Sequence, residues 1–374
     1  MRQRTGAPYV LLLGEAEEGV RQHVARAAQA AGLDVRGAAE LAAARDSVEQ
    51  DGNAPTAILL DLSSQGAVRH ALDVRGRHGL EAVVLLGLCA RVDDEVFAGA
   101  LRAGCDDCCL GHGGGLERRL QLLAQIEPVT LRPHERSVVV ADAAREARLR
   151  AARIFRHAGF RVVFSLTGAD AVREAARPGV VAVVCSAEIV AQCLAQEIAA
   201  DVRAQASRPA WIVNAASVPA PAVRARLGLA AHVRLAVHDL AGSPADLLFL
   251  ANRLLRDLAQ ESRTSERLLY GTSVWYRAAG REEGEHGFTY NLGAGGLFVR
   301  TLAPPQRWDE LWIELRPPGA DRLVHLEAMA VWSRCFGPGE VEVSPCGFGA
   351  RVTGGSVADL DRYRRAVEAH RRAS

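Results

Sequence analysis

Tyr9–Leu13 reads YVLLL and runs through GEAEEG into VRQHVARAAQAAG, which closes at Gly32. An apolar run of strand length ending on small and acidic residues, then apolar positions at helical spacing and a terminal glycine, predicts a buried strand followed by a helix. The alternation continues through LDVRG, a helix over Ala38–Gln50, TAILLDL, a helix around Ala67–Arg77, EAVVLLGL, a helix at Asp93–Ala103, DDCCLG and a helix over Leu116–Gln125. Short apolar strands alternating with helices predict a parallel sheet covered on both faces, because parallel neighbours need crossover connections.

From Ser137 the pattern returns as SVVVADAAREARLRAARIFRHAGFRVVFSLTGADAV, in step with the stretch from Tyr9. The chain therefore holds a tandem repeat. Its remaining units are VVAVVCSA, a helix near Ile189–Arg203, PAWIVNAAS, a helix at Ala220–Leu227, HVRLAV and a closing helix over Pro244–Gln260. PVTLRPHER, Pro128–Arg136, separates the copies with two prolines. After Glu261 prolines and glycines multiply, and TSVWYR, HGFTYNL, GGLFVRT, ELWIEL, LVHLEAMAVWSRC and CGFGARV predict short antiparallel strands. VADLDRYRRAVEAHRR returns to helical spacing, with Val357, Leu360, Tyr363 and Val367 on one face. A small β-barrel with a C-terminal helix fits, since closure removes exposed sheet edges. The expected domains are 1–130, 134–260 and 262–374.

Composition narrows the function. A length of 374 residues suits two or three domains, and 45 basic against 44 acidic residues leave no charge excess to hold a nucleic-acid backbone. Every basic side chain is arginine; without lysine, phosphate-loop, Schiff-base and protein-kinase chemistry are excluded. The histidines are scattered and no nucleophile motif lies near them, so a non-enzymatic protein without a cofactor is expected. No apolar stretch reaches the ~20 residues of a membrane helix, so no membrane insertion is expected. Eight cysteines, mostly in apolar runs and with no secretory signal before them, point to reduced thiols and a cytoplasmic protein. Cys105, Cys108 and Cys109 in CDDCC lack the second distant pair that a zinc site uses, so burial is expected there and no metal.

The two α/β segments, roughly residues 7–127 and 136–258, resemble the response-regulator receiver family, which implies flavodoxin-like (βα)5 domains. In that family two acids after strand one hold Mg²⁺, an Asp ending strand three accepts phosphate, a Thr or Ser follows strand four and a Lys follows strand five. The first copy keeps Asp61 and Glu15, but Gly14, Gly87 and Gly111 stand at the other positions. The second keeps Asp142, with Ala141 beside it and Cys185 and Ser186 ending strand three. Both are read as pseudo-receivers, with Asp61 a possible vestigial phospho-acceptor. Their expected role is docking of a protein partner, or homodimerisation, through the face of the fourth and fifth units.

RTSER, Arg263–Arg267, followed by NLGAGG, Asn291–Gly296, leading into LFVRT, resembles the PilZ domain, marked by RxxxR and (D/N)xSxxG. VWY at Val274–Tyr276, AVWS at Ala330–Ser333 and GFGARV at Gly347–Val352 stand in the matching order. The resemblance covers about residues 262–372 and implies a receptor for cyclic di-GMP. Arg263 and Arg267 are then the guanidinium clamp for guanine or phosphate, Asn291 a hydrogen-bonding amide, and Gly293 and Gly296 part of a loop of close backbone approach. Gly293 replaces the family's serine. RTSER also reads as a solvated helix end and NLGAGG as an ordinary turn, which fits the alternative: a ligand-independent scaffold or adaptor of a motility or surface-polysaccharide machine.

Overall fold

The structure is a computed structural model that describes residues 7–38, 54–64, 66–76, 83–125, 136–190, 209–215, 218–228, 234–239, 242–255, 267–336 and 345–373. Strands β1 (Tyr9–Leu13), β2 (Asp34–Ala38), β3 (Ala57–Asp61), β4 (Val84–Cys89) and β5 (Asp107–Leu110) form a parallel sheet in the order β2-β1-β3-β4-β5. Every residue of β1, β3 and β4 is buried, as a sheet covered on both faces requires. Leu11, Leu13, Ile58 and Leu60 pack on one face and Val10, Leu12, Leu59 and Leu86 on the other. Helices α1 (Glu18–Ala30), α2 (Ala67–Gly76), α3 (Asp94–Ala103) and α4 (Gly114–Ala124) cover them. The Asp93 side chain caps α3 by accepting from the Glu95 and Val96 N–H groups, and Gly104 ends it at φ 106°. Ala38, expected to begin a helix, instead ends β2; the rest of that helix, most of Ile189–Arg203 and the end of Pro244–Gln260 lie outside the described residues.

The second α/β sheet repeats the topology. Strands β6 (Ser137–Ala141), β7 (Arg161–Ser165), β8 (Val180–Ser186), β9 (Ala210–Asn214) and β10 (Leu235–His238) are parallel in the order β7-β6-β8-β9-β10. Helices α5 (Arg145–His157), α6 (Gly168–Ala175), α7 (Ala220–Leu227) and α8 (Asp246–Leu255) accompany them.

The remaining strands are β11 (Leu268–Leu269), β12 (Ser273–Ala278), β13 (Glu285–Gly293), β14 (Gly296–Arg300), β15 (Glu310–Leu315), β16 (Val324–Arg334) and β17 (Gly347–Gly355). Antiparallel pairing runs β13-β12-β15-β16-β17-β14 and returns to β13, closing a six-stranded barrel; β11 pairs with the end of β13 beyond β12. Alternate residues such as Val274, Tyr276, Leu311, Ile313 and Leu315 fill the interior. Helix α9 (Val357–Ala373) adds Tyr363 and Val367 to that core. Val357, expected on the same face, is 85% exposed, because it opens the helix ahead of the turns that meet the barrel.

The chain divides into two compact units, one joining the first α/β sheet to the barrel and the other holding the second α/β sheet. Within the first unit the joint is polar and buried. All five N–H groups of Arg119 on α4 are used: Nε on Asp107 Oδ2 at 2.7 Å, one terminal nitrogen on Gly115 O and Glu285 Oε2, the other on His286 O and Thr301 Oγ1. Asp107 Oδ2 also accepts from Leu302 N at 2.7 Å and Oδ1 from Cys108 N at 2.8 Å. Burial works against the charge on Arg119, but Asp107 and Glu285 outweigh it and hold the guanidinium charged; burial pushes the Asp107 carboxyl up, partly offset by Arg119 and the Leu302 N–H. Arg118 pairs with Glu285 at 2.5 Å, Asp94 accepts from Ser273 N, and Phe288 of β13 packs into the core of the α/β sheet. The fourth and fifth units of the first copy, expected to dock a partner, are therefore engaged by the chain's own barrel.

Candidate ligand-binding face

Of the RxxxR motif, Arg267 is described and Arg263 lies outside the described residues. Arg267 is exposed and directly precedes β11, whose register with β13 pairs Leu268 with Leu292 and Leu269 with Asn291. One further step places Arg267 beside Gly293, so the pairing of β11 brings the second arginine to the NLGAGG segment.

That segment is a tight hairpin: Gly293 pairs with Gly296 across Ala294 and Gly295. None of Gly293, Gly295 and Gly296 has positive φ, so conformational freedom is not what these glycines supply. Gly296 is required by a close approach: a Cβ there would fall on the Ala350 carbonyl of β17. The expected close approach is thus made to a neighbouring strand. The Tyr363 hydroxyl of α9 lies 3.0 Å from Gly293 O and 3.1 Å from Gly296 O, and its one hydrogen anchors the hairpin from inside.

A bulge turns Asn291 to its position. Thr289 pairs with Val299 and Asn291 with Phe298, leaving Tyr290 as the extra residue. Leu292 and Leu297 point into the core, so Asn291 and Phe298 share the outer face. Tyr290, Phe298 and Trp332 form an aromatic row there, with successive centroids 5.7 and 5.5 Å apart. Asn291 is only 4% exposed, and its Oδ1 has no hydrogen-bond partner. A buried acceptor left unmet costs about 1–3 kcal/mol, a cost that a ligand's donor would remove. Arg351 is exposed and pairs with Gly296, which adds a second guanidinium beside the hairpin. Sequence reading gave no part in the site to Tyr290, Phe298, Trp332, Arg351 or Tyr363. The bulge that gathers the aromatic row has no sequence signature, whereas the arginine in GFGARV was open to being found by strand alternation.

The acidic strand end of the first α/β sheet is built differently. Asp61 is buried, and its Oδ1 accepts from Ser63 N at 2.9 Å and Ser63 Oγ at 2.6 Å. Glu15 is exposed, and Gly14 holds φ 98°. A Cβ at Gly87 would lie 2.6 Å from Leu62 Cδ1: leucine occupies the room a hydroxyl residue would need. In the second sheet the matching strand end carries Cys185, whose buried thiol is pushed up by desolvation. In CDDCC both acids serve buried arginines, Asp106 accepting from Arg75 at 2.9 Å and Asp107 from Arg119, while Cys105, Cys108 and Cys109 are buried. Burial pushes the Cys109 thiol up to about 12.

No protein-family model matches the chain, and no curated protein matches it. Among solved structures it is similar to the inhibitor of motility MotI/DgrA of Bacillus subtilis, at 16% identity and TM-score 0.25, covering 30% of this chain and 53% of that one. It thus spans about half the length of that protein. It is also similar to the PilZ domain of CeSA from a cellulose-synthesizing bacterium, at 17% identity and TM-score 0.22, over 29% of this chain and 99% of that domain. A Chloroflexus aurantiacus protein described as a response regulator is 22% identical at TM-score 0.28, over 31% of this chain and 98% of its own. These TM-scores are all below 0.5, so the fold rests on the strand order and register described above. Among the described residues no helix is long and apolar enough to cross a membrane.

Proposed function

We propose that the chain is a non-enzymatic signalling protein that binds cyclic di-GMP on the outer face of its barrel and passes the signal to a protein partner. The observation that carries this reading is the orphaned Oδ1 of buried Asn291, set in an aromatic row beside Arg267. A guanine edge offers N–H donors to such an acceptor, aromatic rings stack on purines, and guanidinium groups bind O6, N7 or phosphate bidentately. Arg263, Arg267, Asn291, Gly293 and Gly296 form the proposed site, with Arg351 added. Tyr363 shapes it by anchoring the hairpin from inside.

Strand β13 connects this face to the joint: Glu285 and Phe288 at one end belong to the contact with the first α/β sheet, and Asn291 and Gly293 at the other belong to the proposed site. Binding at Asn291 would act on a strand that is already clamped, which suits a receptor that switches by population shift. We keep 1–130, 134–260 and 262–374 as domains, with Asp61 a vestigial position that does not take phosphate. In this scheme a partner is taken by the second α/β copy, since the first copy's expected face is engaged by the barrel.

One observation favours the alternative, a ligand-independent scaffold in a motility or surface-polysaccharide machine. Tyr290 and Phe298 are as buried as Asn291. Equilibrium dialysis of the full chain against labelled cyclic di-GMP, with cyclic di-AMP and GTP as competitors, separates the two. Saturable binding that only unlabelled cyclic di-GMP displaces supports the receptor; no retention at millimolar ligand leaves the scaffold.

A further inference from the structure

Away from the ligand face, the first unit brings two cysteines together at one end of the barrel. β16 and β17 pair as far as Arg334↔Gly347, and continuing that register by one residue beyond the strand ends sets Cys335 opposite Cys346. Directly opposed residues of an antiparallel pair have Cα atoms ~4.5–5.5 Å apart and side chains on the same face. That spacing lies within the ~4.4–6.8 Å over which a disulfide forms without moving the backbone. The Cys346 sulfur is itself 3.1 Å from the carbonyl oxygen of Arg334, the peptide group that leads into Cys335.

The two thiols have unlike surroundings. Cys335 is exposed and opens into a cleft of about 840 Å³ between α4 and the barrel, lined also by Arg118, Arg281 and Ser333. Cys346 is half-buried, donates to Thr301 O at 3.1 Å and packs against the apolar cluster of the first α/β sheet. Burial pushes its thiol well above the usual range. A small oxidant reaches the first sulfur more readily than the second. Cys89, Cys105, Cys108, Cys109 and Cys185 are buried within the α/β cores, so among the described cysteines this pair alone combines exposure with a neighbour.

We propose that Cys335 and Cys346 are a peroxide-sensitive pair that closes into a disulfide across the ends of β16 and β17. In the first step the Cys335 sulfur attacks hydrogen peroxide, the O–O bond breaks, and sulfenic acid and one water form. In the second the Cys346 sulfur attacks the sulfenic sulfur, the S–O bond breaks, and the thiol proton leaves with the hydroxyl as a second water. Two thiols are oxidised and one peroxide is reduced. The bond draws the Cys346 sulfur from Thr301 O, whose side chain belongs to the Arg119 joint. Oxidation at the cleft therefore reaches the contact between barrel and α/β sheet. This inference is independent of the cyclic di-GMP reading.

The full chain is treated with hydrogen peroxide, its remaining thiols are alkylated, and it is digested without reduction for peptide mass analysis. The expected product is a linked peptide pair lighter by two hydrogens, joining Cys335 to Cys346, reversed by dithiothreitol and absent from Cys335→Ser and Cys346→Ser. In Cys346→Ser, dimedone should trap the Cys335 sulfenic acid, which shows that access is retained. Cys335 found as sulfinic acid or as a dimer between chains, with Cys346 fully alkylated, overturns the proposal.

Discussion

Asp107 and Asn291 are both buried polar side chains of the first unit, and they differ in how completely they are satisfied. Asp107 accepts from Arg119, Leu302 and Cys108, and Arg119 in turn uses every N–H it has. Asn291 keeps an acceptor with nothing to accept from. A fully paired cluster holds two pieces of a protein together; an acceptor kept dry and unmet is a standing cost that a ligand removes. Asp61, the residue a receiver would phosphorylate, falls on the first side of this contrast, since Ser63 satisfies it and Leu62 fills the space beside Gly87.

The largest expected effect tests the satisfied cluster. Arg119→Ala strands the Asp107 carboxylate in a buried site and should lower stability by about 3–5 kcal/mol, read from urea unfolding of the full chain. A loss under about 1 kcal/mol would mean that the joint is solvated and the contrast false. Next is the arginine clamp. Arg263→Ala and Arg267→Ala should each weaken cyclic di-GMP binding by about 1.5–3 kcal/mol, the worth of a charge-assisted bond. Arg316→Ala is the control: its part in holding the Tyr270 hydroxyl is played by its backbone carbonyl, which the change keeps. Equal affinity in all three variants would remove the clamp.

Gly293→Ser restores the family's hydroxyl. Gly293 lies in regular strand conformation and its carbonyl is held by Tyr363, so a side chain meets no backbone strain. Binding should tighten by up to about 1 kcal/mol in calorimetry, with an unchanged melting temperature. A destabilised variant with no gain in affinity would show a hairpin remodelled away from ligand. The smallest expected effect is none: incubation with acetyl phosphate and Mg²⁺ should leave the intact mass of the chain unchanged. A phosphoryl adduct lost in Asp61→Asn would overturn the reading of Asp61 as vestigial.

Fold was legible where local pattern and burial agree. YVLLL, AILLD and VLLGLC are strands because only a doubly covered parallel sheet buries every residue of such runs, and SVWYRA and ELWIEL alternate as barrel strands do. The hairpin at Asn291–Gly296 was legible as a motif, yet the reason for Gly296 was not, because the Ala350 carbonyl that excludes a Cβ comes from a distant strand. The joint left no trace in the sequence. Arg119 and Glu285 are ordinary charged residues until folding buries them against each other. The bulge at Tyr290 was equally silent, and with it the aromatic row that gives Asn291 its setting.

The contrast between a satisfied and an unmet polar group is tested most directly by titrating the full chain and Asn291→Ala with cyclic di-GMP in a calorimeter, and measuring the melting temperature of each. The expected result is saturable heat for the natural chain and binding at least about tenfold weaker, near 1.4 kcal/mol, for the variant, with the variant melting no lower than the natural chain because the unmet acceptor is gone. No heat at millimolar ligand, or equal affinity in both proteins, would contradict the role given to Asn291.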